Sequence, residues 1–354
     1  MKIGILGGGQ LARMLALSGY PLGFEFVFLC PVPDACAAAL GEHLCADFED
    51  QAALQQLAKK VDVVTYEFES VPADSVAYLN EKLPVYPPPL ALATARDRLL
   101  EKSLFNELGI NTAAFDAVNS LADLEEAVGK IGLPAILKTR TLGYDGKGQQ
   151  RLFAGSKLKD AWDGLHHAAA ILEGFVGFER EVSIIAVRSV SGEMAFYPLT
   201  ENKHEDGILH LSTSLRDDPM QTLAEDYAQR LLEHLDYVGV LAIEFFQLNG
   251  QLLVNEMAPR VHNSGHWTIE GAVTSQFENH LRAIAGLPPG STALTGHSAM
   301  RNIIGELPDI HTLLNMPNTH LHLYGKAARA GRKLGHITVC TESEASLKKL
   351  LAQL

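Results

Sequence analysis

Residues 240–260 read VLAIEFFQLNGQLLVNEMAPR. Two apolar runs flank Asn249-Gly250, a dipeptide that favours a tight hairpin turn. Each run carries one carboxylate, Glu244 or Glu256, among apolar neighbours. Because strand side chains alternate between faces, a strict two-residue turn pairs Glu244 with Asn255, whereas an odd-length loop or one bulge pairs Glu244 with Glu256. In either register, acidic and amide oxygens converge on an apolar sheet, and buried carboxylates are costly unless their charge is answered. A salt bridge to Arg260 or Lys138 is one answer. Mg²⁺ is the better one, since it takes few carboxylates and completes its octahedron with water and nucleotide phosphate.

The chain leaves this hairpin as APRVHNSGHW, residues 258–267, which brings Arg260, His262 and Asn263 close to the carboxylates. Arginine offers a planar fork for a carboxylate or bicarbonate, and histidine exchanges protons near neutral pH. His262 and His266 stand four apart, but Asn, Ser and Gly between them disfavour a helix and no HExxH glutamate is present, so zinc is not expected. Upstream, Lys138 feeds the glycine-rich stretch GYDGKGQ, residues 143–149. Gly143, Gly146 and Gly148 let backbone amides approach phosphate oxygens, and Lys138 and Lys147 add positive charge. The G-K-[ST] of a Walker loop is missing, and a plain hairpin is the alternative.

The N-terminus, IGILGGGQLARM at residues 3–14, places Gly7, Gly9 and Ala12 as G-x-G-x-x-A between a strand and a helix. The confirming acid of a dinucleotide site is poor: the second strand ends in LCPVPD, with Asp34 behind two prolines. Gln10 and Leu11 at the helix start can face another small ligand. Near the C-terminus, YGKAARAGRKLGH gathers Lys326, Arg329, Arg332 and Lys333, either a solvated basic turn or a phosphate pocket.

Around these motifs, βαβ alternation over about the first 90 residues predicts a parallel, doubly wound sheet, ended by VYPPPL. ALATARDRLLEKSLFNELG, residues 91–109, reads as one long helix, and Ser120 with Asp123 caps the next. The centre reads as mixed α/β and the end as a small cap of two strands and a helix. The chain has 354 residues and a formal net charge of −13, which argues against nucleic acid as a partner. Four scattered cysteines without a CxxC pair suit reduced thiols in the cytoplasm. MKIGILGGG is too short and glycine-broken for a signal peptide, and no run approaches the about 18 apolar residues of a membrane span.

The stretches GGGQLARM, RTLGYDGKGQ, YPLTENKHEDGI, NEMAPRVHNSGHWT and AGRKLGH together resemble the ATP-grasp superfamily, specifically its 5-(carboxyamino)imidazole ribonucleotide synthase family of purine biosynthesis, over essentially the whole chain. That resemblance implies an α/β ATP-grasp fold. Residues 1–95 would be a Rossmann-like substrate-binding domain, 96–288 the ATP-grasp domain and 289–354 a small C-terminal domain. It implies ATP held by Arg98, Lys138, the loop Gly143, Tyr144, Asp145, Gly146, Lys147, Gly148 and Gln149, the hinge Glu173, Gly174, Phe175 and Val176, and Glu181, His204, Asn255 and Glu256. Mg²⁺, or Mn²⁺, falls to Glu244 and Glu256. Bicarbonate falls to Arg260, His262 and Asn263, and Asp145 or His262 would take the amine proton. Gln10, Leu11, Glu67, Tyr144, Lys326, Arg332 and Lys333 would hold aminoimidazole ribonucleotide. A cytoplasmic homodimer without membrane or nucleic-acid contacts is implied as well. The rival readings are a formate-dependent glycinamide ribonucleotide ligase, a non-catalytic nucleotide-binding module, and an oxidoreductase using the opening glycines.

Overall fold

A computed structural model describes residues 1–141 and 148–354, so Gly143, Tyr144, Asp145, Gly146 and Lys147 lie outside the described residues. The opening strand, Lys2–Leu6, pairs in parallel with Glu25–Leu29 on one side and Val63–Tyr66 on the other. A short strand not foreseen from the sequence, Glu42–Leu44, completes the parallel four-stranded sheet. The strands are apolar on both faces because helices cover both, as parallel sheets require. Ile3, Ile5, Phe26 and Phe28 face the helix Gln10–Gly19, while Leu6, Val27 and Leu29 face Gln51–Lys60.

The same helix Gln10–Gly19 joins this unit to the rest. Its buried Leu11 and Leu15 share one core with Phe277 and Leu281 of the helix Gln276–Ile284 and with Val187 and Val240 of the central sheet. That sheet has nine strands, antiparallel throughout, with Gln251–Ala258 at its edge beside Gly239–Leu248. The last strands, His297–Ile304, Lys333–Thr341 and Thr319–Leu323, extend this sheet, with His297–Ile304 pairing with Ile208–Ser214. A separate four-stranded antiparallel sheet carries Ala135–Thr139 and Ala170–Gly174 and forms the opposite lobe.

The helix expected over residues 91–109 is two helices, Pro89–Ala95 and Arg98–Glu107. Asp97 is responsible. Its backbone is extended, and its carboxylate caps the second helix by accepting from the Leu99 N–H at 2.9 Å. The same carboxylate takes the Arg140 guanidinium at 3.0–3.1 Å, tying the break to the opposite lobe. The cap at Ser120 forms as expected, accepting from the Asp123 N–H at 3.1 Å.

Phe277 lies fully buried where the N-terminal unit meets the central sheet. Phe277→Ala is expected to cost about 3–5 kcal/mol in denaturant unfolding; a loss under 1 kcal/mol would mean the joint is not packed as described.

Candidate active site

The hairpin resolves the register left open by its sequence. Leu248 pairs with Gln251, so the turn holds only Asn249 and Gly250, both at positive φ (51° and 72°) as a type I′ turn demands. Glu244 nevertheless pairs with Glu256, because the register slips between Glu244 and Phe245 and leaves Asn255 as an extra residue. That bulge puts both carboxylates on one side, toward a cleft of about 1290 Å³ between the two lobes. Burial first, and then the neighbouring Glu256 charge, push the Glu244 carboxyl up to about 7. Glu256 is held low despite its own burial, because Arg98 bonds it at 3.1 Å.

The first turn of the helix Arg98–Glu107 grips the bulged strand on both sides. Gln251–Ala258 is an edge strand, so its outward backbone groups need partners. Lys102 Nζ donates to the Val254 carbonyl at 3.1 Å, and the Glu101 carboxylate accepts from the Met257 N–H at 2.6 Å. Both residues are only 2 % exposed. In the sequence both residues belong to the single helical pattern of residues 91–109, and neither stands out from it. Their spacing to Leu104 and Phe105 on one helical face was the available signal.

Lys138 and Lys102 also flank Glu173, at 3.0 and 3.5 Å. Burial alone would raise that carboxyl, but the two ammonium groups hold it at about 2. Glu173 and Gly174 end a strand, and Phe175 and Val176 follow along the cleft wall. Nearby, Phe178 stacks on Phe246 with centroids 4.8 Å apart, supplying a flat apolar surface that sequence reading had not identified. Glu181 holds His204 Nδ1 at 2.5 Å. Burial opposes charge on that imidazole, but Glu181 and Glu244 raise its pKa on balance. Gln149 and Asn255 line the same cleft, while Gly148 stands beside it with its carbonyl accepting from the Thr139 N–H at 2.8 Å.

Arg260, His262 and Asn263 enter the cleft together, as their sequence placed them. Arg260 Nη2 meets Glu69 at 2.6 Å, while its buried Nε has no hydrogen-bond partner among the described residues. An orphaned guanidinium donor at a cleft wall suits an oxyanion. His262 Nε2 lies 3.6 Å from Glu244, and burial, then Arg260 and Lys333, keep its pKa well below the usual value. Asn263 exchanges paired amide hydrogen bonds with Asn302, at 2.7 and 3.1 Å. His266 is turned away into a buried pocket against Gln276. Among the described residues no cluster of three or more His, Cys, Asp or Glu is arranged to cage a metal. Two facing carboxylates beside an amide suit Mg²⁺, whose remaining ligands come from water and phosphate, and do not suit zinc.

The opening glycines have an occupant of their own. The Glu67 carboxylate accepts from the Ala12 N–H at 2.9 Å and from the Gly9 N–H. Gly7 has φ +124°, and a Cβ there would sit 2.3 Å from Glu67 Cγ. The amides that would bind a dinucleotide's pyrophosphate are therefore spent on the protein's own anion, which removes the basis for an oxidoreductase. Gln10 and Leu11 border the cleft, and Gln10 accepts from Lys326 Nζ. Lys333 also lines the cleft, whereas Arg332 lies outside its wall and donates to the Ala327 carbonyl at 3.3 Å.

The raised Glu244 pKa has a stability consequence. Between its unfolded value near 4.5 and about 7, the native state keeps a proton that the unfolded chain has released, so stability falls as pH rises through that window. In ligand-free protein with EDTA, Glu244→Gln is expected to gain on the order of 3 kcal/mol over the parent at pH 8, with the gain disappearing near pH 4.5. Equal unfolding curves at pH 8 would contradict the opposed-carboxylate geometry.

Three family models match in succession: the ribonucleotide synthetase preATP-grasp domain at residues 1–96, the ATP-grasp domain at 103–277, and the phosphoribosylaminoimidazole carboxylase C-terminal domain at 298–350. The N5-carboxyaminoimidazole ribonucleotide synthase of Pseudomonas aeruginosa is 58% identical, with 100% of this chain and 98% of the relative aligned. That of Brucella melitensis is 49% identical over 95% of each. The crystal structure of the Thermus thermophilus synthetase superimposes with a TM-score of 0.96 at 54% identity, covering 99% of this chain and 97% of that one. The Aspergillus clavatus enzyme, crystallised with ADP and 5-aminoimidazole ribonucleotide, gives 0.90 at 32% identity, covering 99% and 96%. No helix among the described residues is long and apolar enough to cross a membrane. With near-complete alignment at this identity, and with a cleft that opposes two carboxylates beside an arginine, a histidine and an asparagine, the chain belongs to the N5-carboxyaminoimidazole ribonucleotide synthase family of ATP-grasp ligases.

Proposed function

We propose that this chain joins a carboxyl group from bicarbonate to the amine of 5-aminoimidazole ribonucleotide, with ATP converted to ADP and phosphate, as a cytoplasmic homodimer organised as 1–95, 96–288 and 289–354. The observation that carries the reading is one strand's exit. The carboxylate Glu256 and the oxyanion-binding set Arg260, His262 and Asn263 lie within eight residues of one another and border one cleft with Arg98 and Lys138.

In this reading Arg98, Lys138 and the 143–149 loop hold the triphosphate. The adenine lies against the 173–176 hinge and the Phe178–Phe246 stack, and Glu181 takes the ribose hydroxyls beside His204. Mg²⁺ or Mn²⁺ held by Glu244 and Glu256, with Asn255 beside them, would neutralise charge on the triphosphate. Arg260 and Asn263 orient bicarbonate so that one of its oxygens attacks the γ-phosphorus. The bond from that phosphorus to the β-bridging oxygen breaks, giving ADP and carboxyphosphate. Such a transfer needs positioning and charge compensation above all. The substrate amine then forms the new C–N bond, directly or after CO₂ is released in the pocket. Phosphate departs and the amine loses one proton. Gln10, Leu11, Glu67, Lys326, Arg332 and Lys333, with Tyr144 and Asp145 from the loop, form the ribonucleotide site.

ADP release from Mg-ATP with bicarbonate should rise strongly on adding aminoimidazole ribonucleotide, and formate with glycinamide ribonucleotide should give no turnover. Glu256→Gln and Arg260→Ala should each lower kcat by about 10²–10³-fold. Turnover with formate alone would keep the fold and overturn the reaction; ATP binding with silence in every arm would favour a module without turnover.

A further inference from the structure

His262 borders the cleft with one nitrogen and a buried chain of hydrogen bonds with the other. Its Nδ1 lies 2.9 Å from Ser264 Oγ and also accepts from the Ser264 backbone N–H at 3.3 Å. A backbone amide cannot reverse its role, so this long contact disfavours a proton on Nδ1, and the hydroxyl chain decides the choice. The hydroxyl chain behind it agrees in polarity. Ser212 Oγ donates to Asn202 Oδ1 at 2.8 Å, Asn202 Nδ2 to Ser183 Oγ at 2.9 Å, and Ser183 Oγ to Ser264 Oγ at 2.8 Å. Each hydroxyl has a single proton, so Ser264 is left with its own to give to Nδ1. The opposite arrangement, with a proton on Nδ1, would set it against the Ser264 N–H. All four chain residues are 5 % exposed or less, so water does not compete. The His262 backbone is fixed from behind by Gln276, whose amide oxygen accepts from the His262 N–H at 2.9 Å and whose amide nitrogen donates to the His262 carbonyl at 2.6 Å.

We propose that the chain Ser212–Asn202–Ser183–Ser264 positions His262 as the Nε2–H tautomer, so that it faces the bicarbonate site as a hydrogen-bond donor and does not act as the base for the amine proton. The tautomer follows from the hydrogen bonds alone; that the acceptor is a carboxyl oxygen rests on the proposed carboxylation. A fixed donor is worth most where charge develops on that oxygen, and it needs no reorganisation at the moment of transfer. Ser183, Asn202 and Ser264 are thus positioning residues, acting through His262.

Protein labelled with ¹⁵N-histidine, with the His262 signals assigned by their loss in His262→Gln, reads the tautomer directly. The expected spectrum at pH 7.5 has a protonated-type shift at Nε2 and an unprotonated-type shift at Nδ1. A proton on Nδ1, or on both nitrogens, would overturn the proposal. Ser183→Ala changes no cleft-lining side chain; it should mix the two tautomers and lower kcat about 10-fold while leaving the KM for Mg-ATP within about 2-fold. An unchanged tautomer and kcat in folded Ser183→Ala would overturn the positioning role. The wild-type spectrum is independent of turnover, so an Nε2–H signal in a protein that fails to carboxylate would sink the proposed reaction and leave the tautomer standing.

Discussion

A single surplus residue, Asn255, forces Glu244 and Glu256 onto the same side of the central sheet, and the rest of the cleft answers the repulsion this creates. Arg98 bonds Glu256, while Lys138 and Lys102 converge on Glu173 next to it. The bulge lies on an edge strand, where a slip in pairing is cheapest and where backbone groups are left for side chains to take. Lys102 on the Val254 carbonyl and Glu101 on the Met257 N–H use that freedom to fix the strand on either side of Asn255 and Glu256. Burial first, and then the Glu256 charge, raise the Glu101 carboxyl to about 8.

The N-terminal unit shows the opposite economy. A strand, a glycine turn and a helix start would ordinarily present free amides to a phosphate, and here Glu67 fills them from within. The helix N-terminus becomes a rigid corner of the cleft, and its neighbours Gln10 and Lys326 form a polar contact between the first and last parts of the chain. The helix Gln10–Gly19 is also the packing joint to the central sheet, so the corner and the carboxylate wall share one core.

Much of this was legible in the residues. The parallel opening follows from apolar strands alternating with helical spacing, and the turn from Asn249-Gly250. The convergence of acids on the hairpin was readable, but which of two registers wins was not, because a bulge is decided by partners on another element. The break at Asp97 was hidden for a similar reason: a helical pattern runs through it, and the aspartate that ends it takes Arg140 from far along the chain. Buried charges are the hardest to read. Glu101 and Lys102 look like solvated residues until the fold supplies partners for them, whereas Arg260, His262 and Asn263 announced themselves by crowding into a few positions after the hairpin.

In the proposed reaction, bicarbonate is phosphorylated in the cleft between Lys138 and Arg260 before carbon reaches the amine. The direct measurement is turnover with ¹⁸O-labelled bicarbonate, followed by mass analysis of the released phosphate at early times. One bicarbonate-derived ¹⁸O is expected in each phosphate, in step with ADP and dependent on the aminoimidazole substrate. Unlabelled phosphate under productive turnover would contradict it and would place the ATP chemistry on some other oxygen.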